Sequence, residues 1–121
     1  MPIAARYVHT NLIARDWRRL ARFYQDVFGC VPMQPERHRR QGWVERATGI
    51  PGAQIHGMHL HLPGRGDAGP TIEIFQYGSD EGSGDVSTAA KPVDRPGFAH
   101  IAFAVDDVPA ASPRCGQQGA A

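Results

Sequence analysis

The chain of 121 residues has the length of one ordinary domain, and its 41% hydrophobic and 21% charged residues are typical of soluble globular proteins. A formal net charge of +1 gives no argument for nucleic acid or a membrane surface as a partner, and no apolar run approaches the length that spans a bilayer. The N-terminus lacks the apolar core of a signal peptide, and two cysteines make no disulfide framework, so we expect a cytoplasmic protein with reduced thiols.

The first predicted elements are a strand and an amphipathic helix. Residues 7–14 alternate loosely between apolar and polar side chains and predict a strand. Asp16 is a good N-cap and Gly29 is well placed to end a helix in a left-handed turn. The apolar residues between them fall at helical spacing and are expected to lie in the core: Trp17, Leu20, Phe23, Tyr24, Val27 and Phe28.

Three further strands complete a predicted β-α-β-β-β order. A short strand at 30–34 is expected to end at Pro35, and one or two helical turns follow at 43–48. Residues 54–62 predict the next strand, and residues 71–77 predict the last one, with Ile72 and Ile74 on one face. A turn rich in glycine and proline separates these two strands.

The end of the chain repeats the pattern of its beginning. Residues 78–97 read as a linker, and residues 98–105 predict a strand that contains His100 as the first strand contains His9. Asp107 is placed to cap a second helix as Asp16 caps the first. Pro113 is expected to restrict that helix to a stub, because proline removes a backbone donor and clashes with the preceding turn.

Three polar residues interrupt apolar strands: His9, Glu73 and His100. Alternation places Glu73 on the sheet face opposite Ile72 and Ile74, and the two histidines have the same relation to their neighbours. Two imidazoles with one carboxylate are a common ligand set for a divalent metal. The alternatives are histidines that pack in the core with satisfied hydrogen bonds and a glutamate that pairs with an arginine.

Weaker candidates lie on the middle strands. His59 and His61 share one strand face, where they form either a pocket wall with an accessory base or a solvated surface. The basic cluster that follows Pro35 either grips an anionic substrate, such as a thioester of coenzyme A or glutathione, or forms a solvated loop. That cluster consists of Arg37, Arg39 and Arg40.

The pattern resembles the vicinal oxygen chelate (VOC) superfamily, which includes glyoxalase I, bleomycin-resistance proteins, methylmalonyl-CoA epimerase and extradiol dioxygenases. The resemblance is carried by HTNLIARD at 9–16, ARFYQDVFG at 21–29, TIEIFQY at 71–77 and PGFAHIAFAVDDV at 96–108. It implies an α+β fold of two βαβββ modules whose curved mixed sheets form a cup around a divalent metal. The chain is then a single glyoxalase-like domain over 1–121, with module one at 5–77, a linker at 78–97 and a partial module two at 98–121.

The resemblance also implies the site. It gives metal-ligand roles to His9, Glu73 and His100, with Glu73 as the catalytic residue, and the metal is Zn, Ni, Mn, Co or Fe(II). The family's fourth ligand has no counterpart, because the strand that carries it is missing from the second module. Four further residues are candidates for the substrate pocket: His59, His61, Phe75 and Phe98.

The predicted function is that of a glyoxalase- or dioxygenase-type metalloenzyme that binds a small substrate through two neighbouring oxygens. The chemistry is that of a lyase, an isomerase or an extradiol-type dioxygenase, in a homodimer without nucleic-acid or membrane partners. One alternative is a non-catalytic, metal-free binding protein like the bleomycin-resistance members. The other is an inactive truncated fragment, since the second module reads as incomplete.

Overall fold

The computed structural model of the chain describes residues 2–78, 94–98 and 100–118, with side chains up to residue 113. The predicted linker falls largely outside the described residues, as does the side chain of Cys115. The elements in chain order are β1 His9–Ile13, α1 Trp17–Phe28, β2 Val31–Arg39, α2 Gly42–Thr48, β3 Ile55–His61, β4 Thr71–Tyr77 and α3 Val108–Gln118. The expected α+β class and the β-α-β-β-β order of the first module are confirmed.

The four strands form one mixed sheet in the order β1-β4-β3-β2. β1 runs parallel to β4, whereas β4 with β3 and β3 with β2 are antiparallel. The register places Asn11 of β1 and His59 of β3 on either side of Glu73 in β4. The centre of the sheet therefore brings together side chains that lie far apart in sequence.

Helix α1 covers one face of this sheet and encloses the main core. It begins at the Asp16 cap, whose side chain accepts from the Arg19 amide at 3.1 Å, and it ends at Gly29, where φ is 71°. Burial in the core raises the pKa of the free Cys30 thiol, which favours an unreactive thiol over a thiolate. The buried core consists of Trp17, Ala21, Cys30, Met58, Leu60, Ile72 and Ile74.

Strand β2 continues past the proline that was expected to end it. Its pairing with β3 is interrupted between Met33 and Arg37, so Pro35 lies where the ladder requires no amide donor. The strand is also at the edge of the sheet, which tolerates proline better than a central position. Consequently Arg37 and Arg39 are half-buried strand residues, and the expectation of a solvated basic loop is wrong for them.

The strand predicted at 98–105 is wrong for the residues described there, since none of them pairs with the sheet. The apolar alternation of that segment is satisfied by packing beside α1. Ile101 packs against the main core, and the ring of Phe103 stacks on Phe28 with 4.1 Å between centroids. A lone strand needs a partner edge for its backbone groups, and burial of alternate side chains does not require one.

Helix α3 is longer than the predicted stub. The Asp107 carboxylate accepts from the Ala110 amide at 3.2 Å, which confirms the predicted cap. The helix then continues past Pro113 to Gln118, so the expected termination is wrong. The missing amide of Pro113 deprives the Pro109 carbonyl of its helical donor, a local cost that this helix accommodates without ending.

Candidate ligand and metal site

The two faces of the sheet have different chemistry. The even-numbered side chains of β3 and β4, such as Leu60 and Ile74, pack under α1 and are fully buried. The odd-numbered residues His59 and Glu73 lie opposite each other on the other face. Helix α2 covers only one end of this second face, where Val44 packs with Ala53 and Ile55. The rest of the second face presents polar groups.

Glu73 is the centre of a polar cluster on this second face. Its side chain is only 14% exposed, and its carboxylate contacts the Nε2 atoms of two imidazole rings. His59 Nε2 lies 2.7 Å from Oε2, and His9 Nε2 lies 3.5 Å from Oε1. The Asn11 amide donates to Oε1 at 2.9 Å. The carboxylate therefore pairs with histidines rather than with an arginine.

His59 is oriented by a second contact. Its Nδ1 lies 3.1 Å from the Thr71 hydroxyl oxygen, so both ring nitrogens have partners. Burial lowers the pKa of His59 below its usual 6.5, the Glu73 carboxylate opposes this, and the positive charges of Arg37 and His9 add to it. These effects favour a neutral ring whose Nε2–H donates to Glu73 and whose Nδ1 accepts from Thr71.

A cavity of about 300 Å³ adjoins this cluster. It shares His59 and Thr71 with the cluster and extends to the chain segment that precedes β1. Its charged lining residues are Arg6, Arg37 and Asp67, and its other polar lining includes Tyr7 and His61. The Nδ1 atom of His61 is buried and has no hydrogen-bond partner. The cavity lining is therefore both charged and polar.

The structure brings together only some of the residues that the sequence singles out. His9 and Glu73 are in contact, and His59 and His61 line the cavity. His100 is exposed in the segment beside α1 and contacts neither of the other two predicted ligands. Among the side chains that are described, no three of His, Cys, Asp or Glu are arranged as a ligand set. Phe75 packs with the α2 cluster, and Phe98 is 55% exposed.

The donor chemistry of the Glu73 cluster nevertheless suits a divalent cation. Two Nε2 atoms point to one carboxylate. Zn²⁺ and other divalent transition metals bind imidazole and carboxylate ligands together. With a cation at Nε2, His59 would take the other tautomer, and its Nδ1–H would donate to the Thr71 hydroxyl, which is the kind of outer contact that orients metal-ligating histidines. The arrangement in the structure is that of a hydrogen-bonded cluster with the donor types of a metal site.

Sequence reasoning missed the roles of two residues. Asn11 donates to Glu73, and Thr71 orients His59. Arg37, which the sequence singled out as a possible anion-binding residue, lines the cavity. The only sequence signal for Thr71 was its place on the same strand face as Glu73. The contact from Asn11 depends on the parallel pairing of β1 with β4, which alternation within each strand does not reveal.

A family model matches residues 8–121, and it describes the Glyoxalase/Bleomycin resistance protein/Dioxygenase superfamily. The chain belongs to this superfamily. Members of the superfamily bind small molecules and often dimerise, and many use divalent metals. No curated protein and no solved structure matches the chain significantly. In the part of the chain that is described, no helix is long and apolar enough to cross a membrane.

Proposed function

We propose that this VOC protein binds a small substrate at a divalent cation held by the Glu73 cluster. The observation that carries the proposal is the half-enclosed carboxylate of Glu73 between two Nε2 atoms, beside a cavity of ligand size. A carboxylate with so little solvent contact is costly unless it is paired or bound to a metal. His9 and His59 supply the imidazoles that such a cation requires.

The cation would supply Lewis acidity to two neighbouring oxygens of the substrate. This is the basis for assigning lyase, isomerase or extradiol-type dioxygenase chemistry. The chain's own contribution is positional. Thr71 sets the ring of His59, and Asn11 fixes one oxygen of the Glu73 carboxylate. We retain the predicted catalytic role of Glu73 on this basis.

His100 remains a predicted ligand from the sequence, and its side chain is exposed in the segment beside α1. Single alanine variants distinguish the two possible ligand sets, in which His9 and Glu73 are joined either by His59 or by His100. Loss of metal in His9→Ala and His59→Ala with full metal in His100→Ala supports the cluster. Loss in His9→Ala and His100→Ala with full metal in His59→Ala supports the ligand set predicted from the sequence.

The measurement is the metal content of purified protein after loading with Zn²⁺ or Mn²⁺ and removal of excess ion. His38→Ala serves as the matched control, because His38 is exposed and lies on the opposite sheet face from Glu73. We expect about one ion per chain in the wild type and in the control. Unchanged metal content in the His9, Glu73 and His59 variants would overturn the proposed site.

A second candidate function is binding of a small molecule without a metal. The 2.7 Å contact between His59 and Glu73 favours it, because this hydrogen bond completes the cluster in the absence of any cation. The two candidates differ in their response to a chelator. Ligand binding that persists unchanged after treatment with EDTA supports the metal-free protein, and binding that is lost supports the metal site.

We also propose that the chain forms a homodimer through the β1 side of the sheet. Within the described residues the outer edge of β1 has no partner strand, and Tyr7, Val8 and Ile13 are each more than half exposed there. An unpaired edge with apolar neighbours is a pairing surface. The solution mass by light scattering tests this, and Ile13→Lys is expected to shift a dimer to a monomer. A wild-type monomer would contradict the proposal.

A further inference from the structure

We propose that the cavity beside the Glu73 cluster receives the carboxylate of a small monoanionic substrate, with the Arg37 guanidinium as its anchor. This inference rests on the proposed function, because it names the substrate class of the same site. The Arg37 guanidinium would recognise a part of the substrate that does not contact the metal ligands.

Arg37 is a half-buried cation that has no ion pair with any described residue. It lies on β2, where its backbone pairs with Gly57, and its guanidinium has no hydrogen bond to any other residue that the structure describes. A charge that is partly removed from water raises the free energy of the fold unless another charge offsets it. A bound anion would supply that charge, and the planar guanidinium matches the two oxygens of a carboxylate.

The charge balance of the cavity favours a monoanion. Arg6 and Arg37 contribute two positive charges, and Asp67 contributes one negative charge. These arginines and the aspartate together leave one positive charge for a ligand to neutralise. A carboxylate matches this balance, whereas a phosphate dianion would leave an excess negative charge next to Asp67.

The remaining lining restricts the size and polarity of the ligand. About 300 Å³ is at the lower end of the volumes of small-molecule pockets. Val8, Met33 and Ala68 offer apolar contacts to a short body. Because the cavity meets the cluster at His59, one small molecule can contact both Arg37 and a cation bound at Glu73.

The test is calorimetric titration of metal-free protein at pH 8, where inorganic phosphate is mostly the dianion, with benzoate, benzamide and inorganic phosphate. We expect benzoate to bind at least tenfold more tightly than benzamide or phosphate. Arg37→Gln should weaken benzoate binding at least tenfold. Arg40→Gln is the control, because it removes the same charge from an exposed residue that does not line the cavity.

A second variant keeps the test valid if Arg37→Gln does not fold. Arg6 is exposed and lines the cavity, so Arg6→Gln should preserve the fold and weaken benzoate binding severalfold. Any of three results overturns the inference: no benzoate binding by the wild type, equal binding of benzamide, or unchanged affinity in Arg37→Gln. The His9→Ala variant separates the two proposals, since it should lose metal and keep benzoate binding.

Discussion

The assignment of the two sheet faces can be tested by making the same substitution on neighbouring strands. Ile74 of β4 is fully buried under α1, and Ile13 of β1 is 58% exposed at the edge of the sheet. Replacing either isoleucine by alanine removes three carbon atoms. At about 0.8 kcal/mol for each buried carbon, Ile74→Ala loses about 2.4 kcal/mol of transfer free energy. The space left unfilled raises the cost to about 3–4 kcal/mol.

At a protein concentration low enough to dissociate the proposed dimer, the matched variant Ile13→Ala should cost only about 1 kcal/mol, because less than half of its side chain is then removed from solvent. The loss of strand propensity is similar in both variants and cancels in the comparison. Urea unfolding followed by circular dichroism measures both free energies. If the two costs agree within about 0.5 kcal/mol, Ile74 is not in the core. The placement of Glu73 on the opposite face would then also be wrong.

Three further results are expected. Because folding lowers the pKa of His59, the unfolded chain binds more protons than the folded chain, and the free energy of unfolding should fall as the pH drops below 6.5. Urea titrations at several pH values should show this pH dependence, and His59→Gln should reduce it. In Gly57→Ala the new Cβ would lie 1.8 Å from a backbone oxygen of β4, so we expect loss of soluble folded protein. The control Gly42→Ala should fold normally, because its new Cβ would lie near only a flexible side chain. Phe103→Ala removes the ring stacked on Phe28 and should lower the free energy of unfolding by about 1–2 kcal/mol, and an unchanged value in urea titrations would contradict that packing.

Local signals in the sequence predicted the first module well. The bounds of β4 match the expected 71–77, and α1 begins and ends at the predicted caps Asp16 and Gly29. Each of these depends on alternation or on capping within a few residues of the element itself. Elements whose limits depend on a distant partner were predicted less well. Strand β2 runs past Pro35 because its irregular register with β3 leaves that position without a pairing requirement.

The same distinction explains the candidate site. Alternation placed Glu73 on the polar face, and His9 and Glu73 are indeed in contact. The stronger contact of Glu73 is with His59, which depends on the register between β3 and β4. His100 occupies an apolar segment like that of His9, but its neighbours pack beside α1 instead of joining the sheet. An apolar pattern specifies which side chains are buried, and it leaves open which surface buries them.

The most direct test of the central claim is titration of metal-free protein with Co²⁺, followed by visible absorption. The account predicts one tight site per chain with a spectrum characteristic of nitrogen and oxygen ligands, and loss of that site in Glu73→Gln. Glu36→Gln is the control, because this exposed glutamate pairs with His38 away from the cluster. Co²⁺ binding by Glu73→Gln with the stoichiometry and affinity of the wild type would contradict the account.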